Sequence, residues 1–231
     1  MTRLIRVELL KIRTVRMTWG LLAAAAGLTV LFSVLEATFS GGGSKVASLT
    51  TASGLNSVIT GGIWALVLAA VMGVTVSSGE FRHSTATLTY LATPRRNRVL
   101  AAKTVAAGAF GAVYGLIGYL IALGTALGFV FGRGYHVPVG DITLVRYGLG
   151  HLVAAALMAA IGAALGSLIR SQLAAVIGVF AWTIVIESLL GALFNSVQPY
   201  LPYTAATTLA GSQLGGAAFG PAHRAASTAT A

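Results

Sequence analysis

Five long apolar runs, joined by short polar connections, leave this chain few ways to fold. They fall at about residues 18–39, 61–77, 104–131, 144–169 and 173–194. A helix rising 1.5 Å per residue needs roughly 20 residues to cross about 30 Å of hydrocarbon, and most of the runs reach that length. Composition agrees. Of 231 residues, 56% are hydrophobic and 9% charged, and the mean hydropathy is +0.86, whereas a soluble domain is about a quarter charged. The expected fold is an all-α integral membrane protein, a bundle of about five transmembrane helices.

The net charge of +10 does not point to nucleic acid, because the basic residues flank apolar runs instead of lining one face of a polar domain. They read as topology signals. Lys and Arg are retained on the inner side of a membrane, and an inner N-terminus places eleven of them inside: Arg3, Arg6, Lys11, Arg13 and Arg16, then Arg82, Arg95, Arg96, Arg98 and Lys103, with Arg170. Four remain outside, Lys45, Arg133, Arg146 and Arg224. The chain has no cysteine, which excludes disulfides and thiolate metal sites. No cleavable signal peptide is expected, since the first apolar run follows five basic residues and lacks a small-residue cleavage site.

Residues 2–17, TRLIRVELLKIRTVRM, contain neither Pro nor Gly and predict an amphipathic helix lying at the interface. Leu4, Ile5, Leu9, Ile12 and Val15 share one arc and Arg3, Arg6, Arg13 and Arg16 another. Glu8 falls within the apolar arc, three residues from Lys11. It is either part of a lipid-held surface helix or a contact to a partner. SGGGS at 40–44 is a loop, with Glu36 near the end of the run before it. GRGYHVPVGD at 132–141 is another loop, and Arg170, Ser171 and Gln172 make a tight return. The segment 195–211, NSVQPYLPYTAATTLAG, is too apolar for an exposed loop, and Pro199 and Pro202 prevent one uninterrupted helix. It predicts a re-entrant or interface-lying hairpin. One transmembrane domain over 1–211 is expected, with a small-residue tail at 212–231 read as disordered.

Chemistry within the membrane would require acids, nucleophiles or metal ligands gathered at one depth. The acids are only Glu8, Glu36, Glu80, Asp141 and Glu187, and the imidazoles His83, His136, His151 and His223. They form no HExxH pair, serine elbow or carboxylate dyad, and GGGSK at 41–45 lacks the ending of a phosphate loop. No catalytic, cofactor or metal site is expected. Glu187, two thirds along the fifth run, and His151 in the fourth are the candidates for a substrate path or gate, because an ionisable group at such depth costs at least about 2.5 kcal/mol in lipid. Glycines at four-residue spacing, Gly111 and Gly115, Gly124, Gly128 and Gly132, and Gly162 and Gly166, permit close helix approach. Trp19, Trp64, Tyr200 and Tyr203 read as interface anchors.

Ser78 to Lys103, SGEFRHSTATLTYLATPRRNRVLAAK, is the one long polar segment. ELLKIR at 8–13, EFRHST at 80–85, TPRRNR at 93–98 and AAK at 101–103 together resemble ABC transporter permeases of the type-2 exporter family. The resemblance implies an N-terminal interface helix and a short cytoplasmic coupling helix between the second and third spans, docked on a separate ATPase subunit that binds the ATP. It also implies a permease dimer, homo- or heteromeric, around the substrate path in the plasma membrane, with a cytoplasmic N-terminus. Glu8, Glu80, Phe81, Arg82, His83, Arg95, Arg96 and Arg98 are then the expected ATPase-coupling residues, and 195–211 resembles the family's outer hairpin. Ser84 stands where the family commonly has Gly, and the usual sixth span is not found in GGAAFGPAHRAASTATA.

The leading expectation is thus a non-enzymatic permease subunit exporting a hydrophobic or amphipathic molecule. The alternative is a stand-alone carrier, proton-coupled through Glu187 and His151, or a membrane assembly scaffold.

Overall fold

The computed structural model describes residues 2–39, 49–82, 96–136, 140–169, 171–194 and 196–211. The side chains of Thr2, Glu80, Phe81, Arg82, Arg96 and Asp141 fall outside that description. The described residues are all-helical, and five helical stretches are long and apolar enough to cross a membrane. The chain is an all-α, multi-pass membrane protein.

Helix α1 (Thr2–Thr14) is short and separate from α2 (Arg16–Phe39), the first span. The break at Val15 is tied on both sides: Trp19 Nε1 donates to the Arg13 carbonyl at 2.9 Å, and Thr18 N to the Val15 carbonyl at 3.1 Å. The second span starts earlier than its hydropathy suggests. A helix α3 (Ala52–Thr60), a 3-10 turn (Gly61–Ile63) and α4 (Trp64–Arg82) run on as one piece, and the spanning stretch is Ala52–Gly79. Thr51 accepts from Gly54 N at 3.2 Å and so caps α3. The tight turn at Gly61 fits its surroundings, because a Cβ there would stand 2.3 Å from Ser33 Oγ, which itself donates to the Val58 carbonyl at 3.0 Å.

Helix α5 (Arg96–Gly132) carries the third span and has 37 residues, about 55 Å at 1.5 Å each. It overshoots the hydrocarbon. Its first turns, Arg96 to Lys103, thereby continue the span as a stiff extension on the side where α1 lies. Helix α6 (Asp141–Leu168) is the fourth span. The fifth combines α7 (Gln172–Phe180), a π-helical stretch (Ala181–Ile186) and α8 (Glu187–Leu193). A further 3-10 turn (Gln198–Tyr200) leads into α9 (Pro202–Leu209).

The second span is the hub, with 78% of its apolar stretch buried against 22% for the first and the fifth. Small residues make this possible. A Cβ on Gly162 of α6 would stand 2.0 Å from the Ala70 carbonyl of α4, and one on Gly73 of α4 would stand 2.1 Å from the Ala159 carbonyl of α6, so the two backbones touch. Gly111 and Gly115 bring α5 as close to α6, whereas Gly124, Gly128 and Gly132 have nothing within 4 Å of an added Cβ. The glycine spacing therefore marks a helix contact in one half of α5 and not in the other. Tyr114 in α5 donates to the Thr18 carbonyl at 2.5 Å, fixing the first span to the third.

The segment after the fifth span turns back into the bundle. Gln198 lies against Gly191, Tyr203 and Thr204 reach Glu187, and α9 then climbs until Leu209 meets Gly150 of α6. Asn56 Nδ2 donates to the Gly211 carbonyl at 2.6 Å, closing the end of the loop on α3. The segment 196–211 is thus a helical hairpin that folds back on the bundle.

Candidate functional site

Two groups of polar residues stand out, one at each side of the bundle. The first is built on α1. Ile12 is fully buried, with Leu4, Ile5 and Leu9 partly so, while Arg3, Arg6 and Arg13 remain exposed. Glu8 lies on the buried face. Its Oε1 is 2.9 Å from Lys11 Nζ and its Oε2 is 3.6 Å from Lys103 Nζ. Lys103 belongs to the extension of α5, and Glu8 and Lys103 are each only 5% exposed. The pair ties α1 to the beginning of the third span. The spacing along α1 suggests Lys11 as Glu8's partner, but Lys103 is far away in sequence and no local pattern reports it.

Arg98, on the same extension, is exposed. Glu80, Phe81 and Arg82 end α4 and Arg96 opens α5, their side chains lying outside the description. His83 and Arg95, and the expected coupling helix between them, lie outside the described residues altogether. Of the eight coupling candidates, the described side chains are therefore Glu8 and Arg98, both on the side of the bundle where α1 lies.

The second group surrounds Glu187, which is 3% exposed. Its Oε1 accepts from Trp182 Nε1 at 2.8 Å and from Tyr203 N at 2.9 Å. Its Oε2 accepts from Thr204 N at 2.9 Å and Thr204 Oγ1 at 3.1 Å. The carboxylate thus caps the start of α9 from a different helix. The reason is local: Pro202 occupies the first turn of α9 and Leu201, at the cap position, has no oxygen to offer the next N–H groups. A leucine cap before a Pro-Tyr-Thr helix start is a sequence sign that the acceptor must come from elsewhere. Trp182 reaches Glu187 five residues on, a spacing that suits the π-helical stretch between them. Tyr203, read from sequence as an interface anchor, is half-buried beside Glu187. Trp19 and Tyr200 are exposed.

Two cavities meet at Glu187. One, of about 320 Å³, lies between α4, α6 and the fifth span and is lined almost wholly by apolar atoms from residues such as Met158, Leu165 and Val179. The other, of about 330 Å³, is more polar and includes Ser188, Gln198, Tyr203 and Thr207. Thr183 and Glu187 line both.

His151 is placed apart from this seam. It is completely buried, with Nδ1 2.9 Å from the Tyr147 carbonyl and its ring 5.4 Å from that of Tyr119. Nε2 has no hydrogen-bond partner among the described residues and faces Gly62, where an added Cβ would stand 3.0 Å away. Neither cavity includes His151, so the two intramembrane candidates occupy different settings. No group of three His, Asp or Glu able to hold a metal occurs among the described residues. No protein-family model, curated protein or solved structure matches the chain.

Proposed function

We propose that this chain is the permease subunit of an ATP-driven exporter of the ABC type-2 class, moving a hydrophobic or amphipathic molecule with ATP hydrolysed on a separate ATPase subunit. In this reading the chain sits in the plasma membrane with a cytoplasmic N-terminus and works as a dimer. The observation that supports it best is the tie between Glu8 of α1 and Lys103 of α5.

The physical argument concerns how force would enter. A partner that closes on nucleotide moves a membrane protein only through stiff elements that it touches. Helix α1 and the basic extension of α5 form such an element, because the extension continues into the third span without a break and α1 is held to it by a buried ion pair. A push on Arg98 or on the exposed face of α1 would be passed straight along α5. Residues 83–95 connect the end of α4 to that same end of α5.

The cavities at Glu187 suit an apolar or amphipathic cargo. The test is transport. Proteoliposomes holding this chain and its ATPase should export a lipophilic dye with ATP and not with a non-hydrolysable analogue. Export that continues without the ATPase and stops with a proton uncoupler would instead favour the stand-alone carrier.

A further inference from the structure

We infer that the paired cavities at Glu187 bind an amphiphile with a quaternary ammonium head, its tail in the apolar chamber and its head in the polar one. This deepens the permease reading and rests on it for the direction of movement, though not for binding itself.

The argument starts from the charge. All four groups bonded to Glu187 can donate to it, and three of them are N–H groups that can do nothing else. The carboxylate is 3% exposed, yet no Lys, Arg or His among the described residues pairs with it. A buried charge without a counter-ion attracts a cation from outside.

Which cation follows from the hydrogen bonds. Each carboxylate oxygen already accepts two, and a carboxylate offers about four acceptor sites. An ammonium or guanidinium head would have to displace one of these donors. A trimethylammonium head needs no acceptor, and aromatic residues are the side chains that hold such a head. Trp182 lines the apolar chamber and Tyr203 the polar one. The chambers differ in polarity and share Thr183 and Glu187, so a ligand spanning both must itself be apolar at one end and cationic at the other. Their volumes, about 320 and 330 Å³, lie at the small end of the range for ligand sites, which runs from about 300 to 1,000 Å³. The π-helical stretch that aims Trp182 and Thr183 into the seam is a backbone feature common at functional sites.

A trimethylammonium head occurs on free cationic amphiphiles and on choline lipids. The lack of a cationic side chain at Glu187 among the described residues favours the former, since a phosphocholine would carry its phosphate toward the carboxylate. The experiment measures binding of radiolabelled dodecyltrimethylammonium to the full chain in nanodiscs of an uncharged galactolipid, with empty discs subtracted. Saturable binding is expected, with competition at least tenfold weaker from dodecylammonium, dodecylphosphocholine and dodecyl maltoside.

Glu187→Gln should weaken binding at least tenfold. Gly178→Phe should do the same by filling the apolar chamber, where an added Cβ meets nothing within 4 Å. If Glu187→Gln does not fold, Gly178→Phe and the head-group series decide. Equal binding of dodecylammonium or dodecyl maltoside, or no effect of a folded variant, overturns the assignment. Equal binding of dodecylphosphocholine overturns it too, by making a lipid the occupant. A binding series as expected without ATP-dependent transport would sink only the permease reading. ATP-driven export of a different cargo without binding of this cation would sink only the inference.

Discussion

The Glu8 carboxylate of α1 stands 3.6 Å from the Lys103 ammonium of α5, and both side chains are all but sealed from solvent. Removing Lys103 takes one of two ammonium partners from the buried Glu8 carboxylate and leaves Lys11 at 2.9 Å; breaking a buried ion pair costs up to about 3 kcal/mol, whereas replacing both members with apolar residues is often neutral. Lys103→Leu should therefore lower stability in detergent substantially, and Glu8→Leu with Lys103→Leu should recover part of the loss. A double-mutant cycle by thermal unfolding measures the coupling. Additive losses would mean that the pair does not hold α1 in place.

Glu187→Ala removes four hydrogen bonds and the cap of α9. A lost cap alone costs about 1 kcal/mol, and hydrogen bonds to a charged group cost more. Hydrogen exchange should rise at residues 203–209 well before it rises in α4. Unchanged protection of α9 would show that its packing on α6 suffices without the carboxylate.

The glycines divide into two classes with opposite expected outcomes. Gly162→Ala should destabilise by about 1–3 kcal/mol, because the new methyl meets the Ala70 carbonyl at 2.0 Å and the helices must part. Gly128→Ala meets nothing within 4 Å and should gain up to about 1 kcal/mol of helix propensity. Thermal unfolding of the two single variants is the check, and equal effects would contradict the packing described.

This division also shows how far the sequence could be read. Run length and composition make the five spans legible, because the cost of exposing backbone and charge to hydrocarbon acts on every residue of a span. The amphipathic α1, with Glu8 on its buried face, follows from periodicity. The start of the second span at Ala52 does not, since Thr51, Ser53 and Asn56 look polar and their bonds to the chain itself are visible only in three dimensions. Likewise Gly162 and Gly128 look alike in sequence, and only the position of α4 separates them. Lys103 and Trp182 escape for related reasons, one lying on a distant helix and the other at a π-helical spacing.

Membrane orientation is tested with single cysteines, as the chain has none of its own. Tyr135→Cys should react with an impermeant maleimide added to intact cells, and Arg98→Cys only after the membrane is opened. Both positions are exposed. The reverse pattern would place the N-terminus outside.

The most direct test of the permease account is a photo-crosslinker placed at Arg98 in the full-length chain, in cells that carry the accompanying genes. The account predicts one dominant crosslinked partner bearing the phosphate-binding loop of an ATPase, lost when Glu8 is changed to Arg in a chain that still folds. A folded chain whose Arg98 position crosslinks to no ATPase would contradict it.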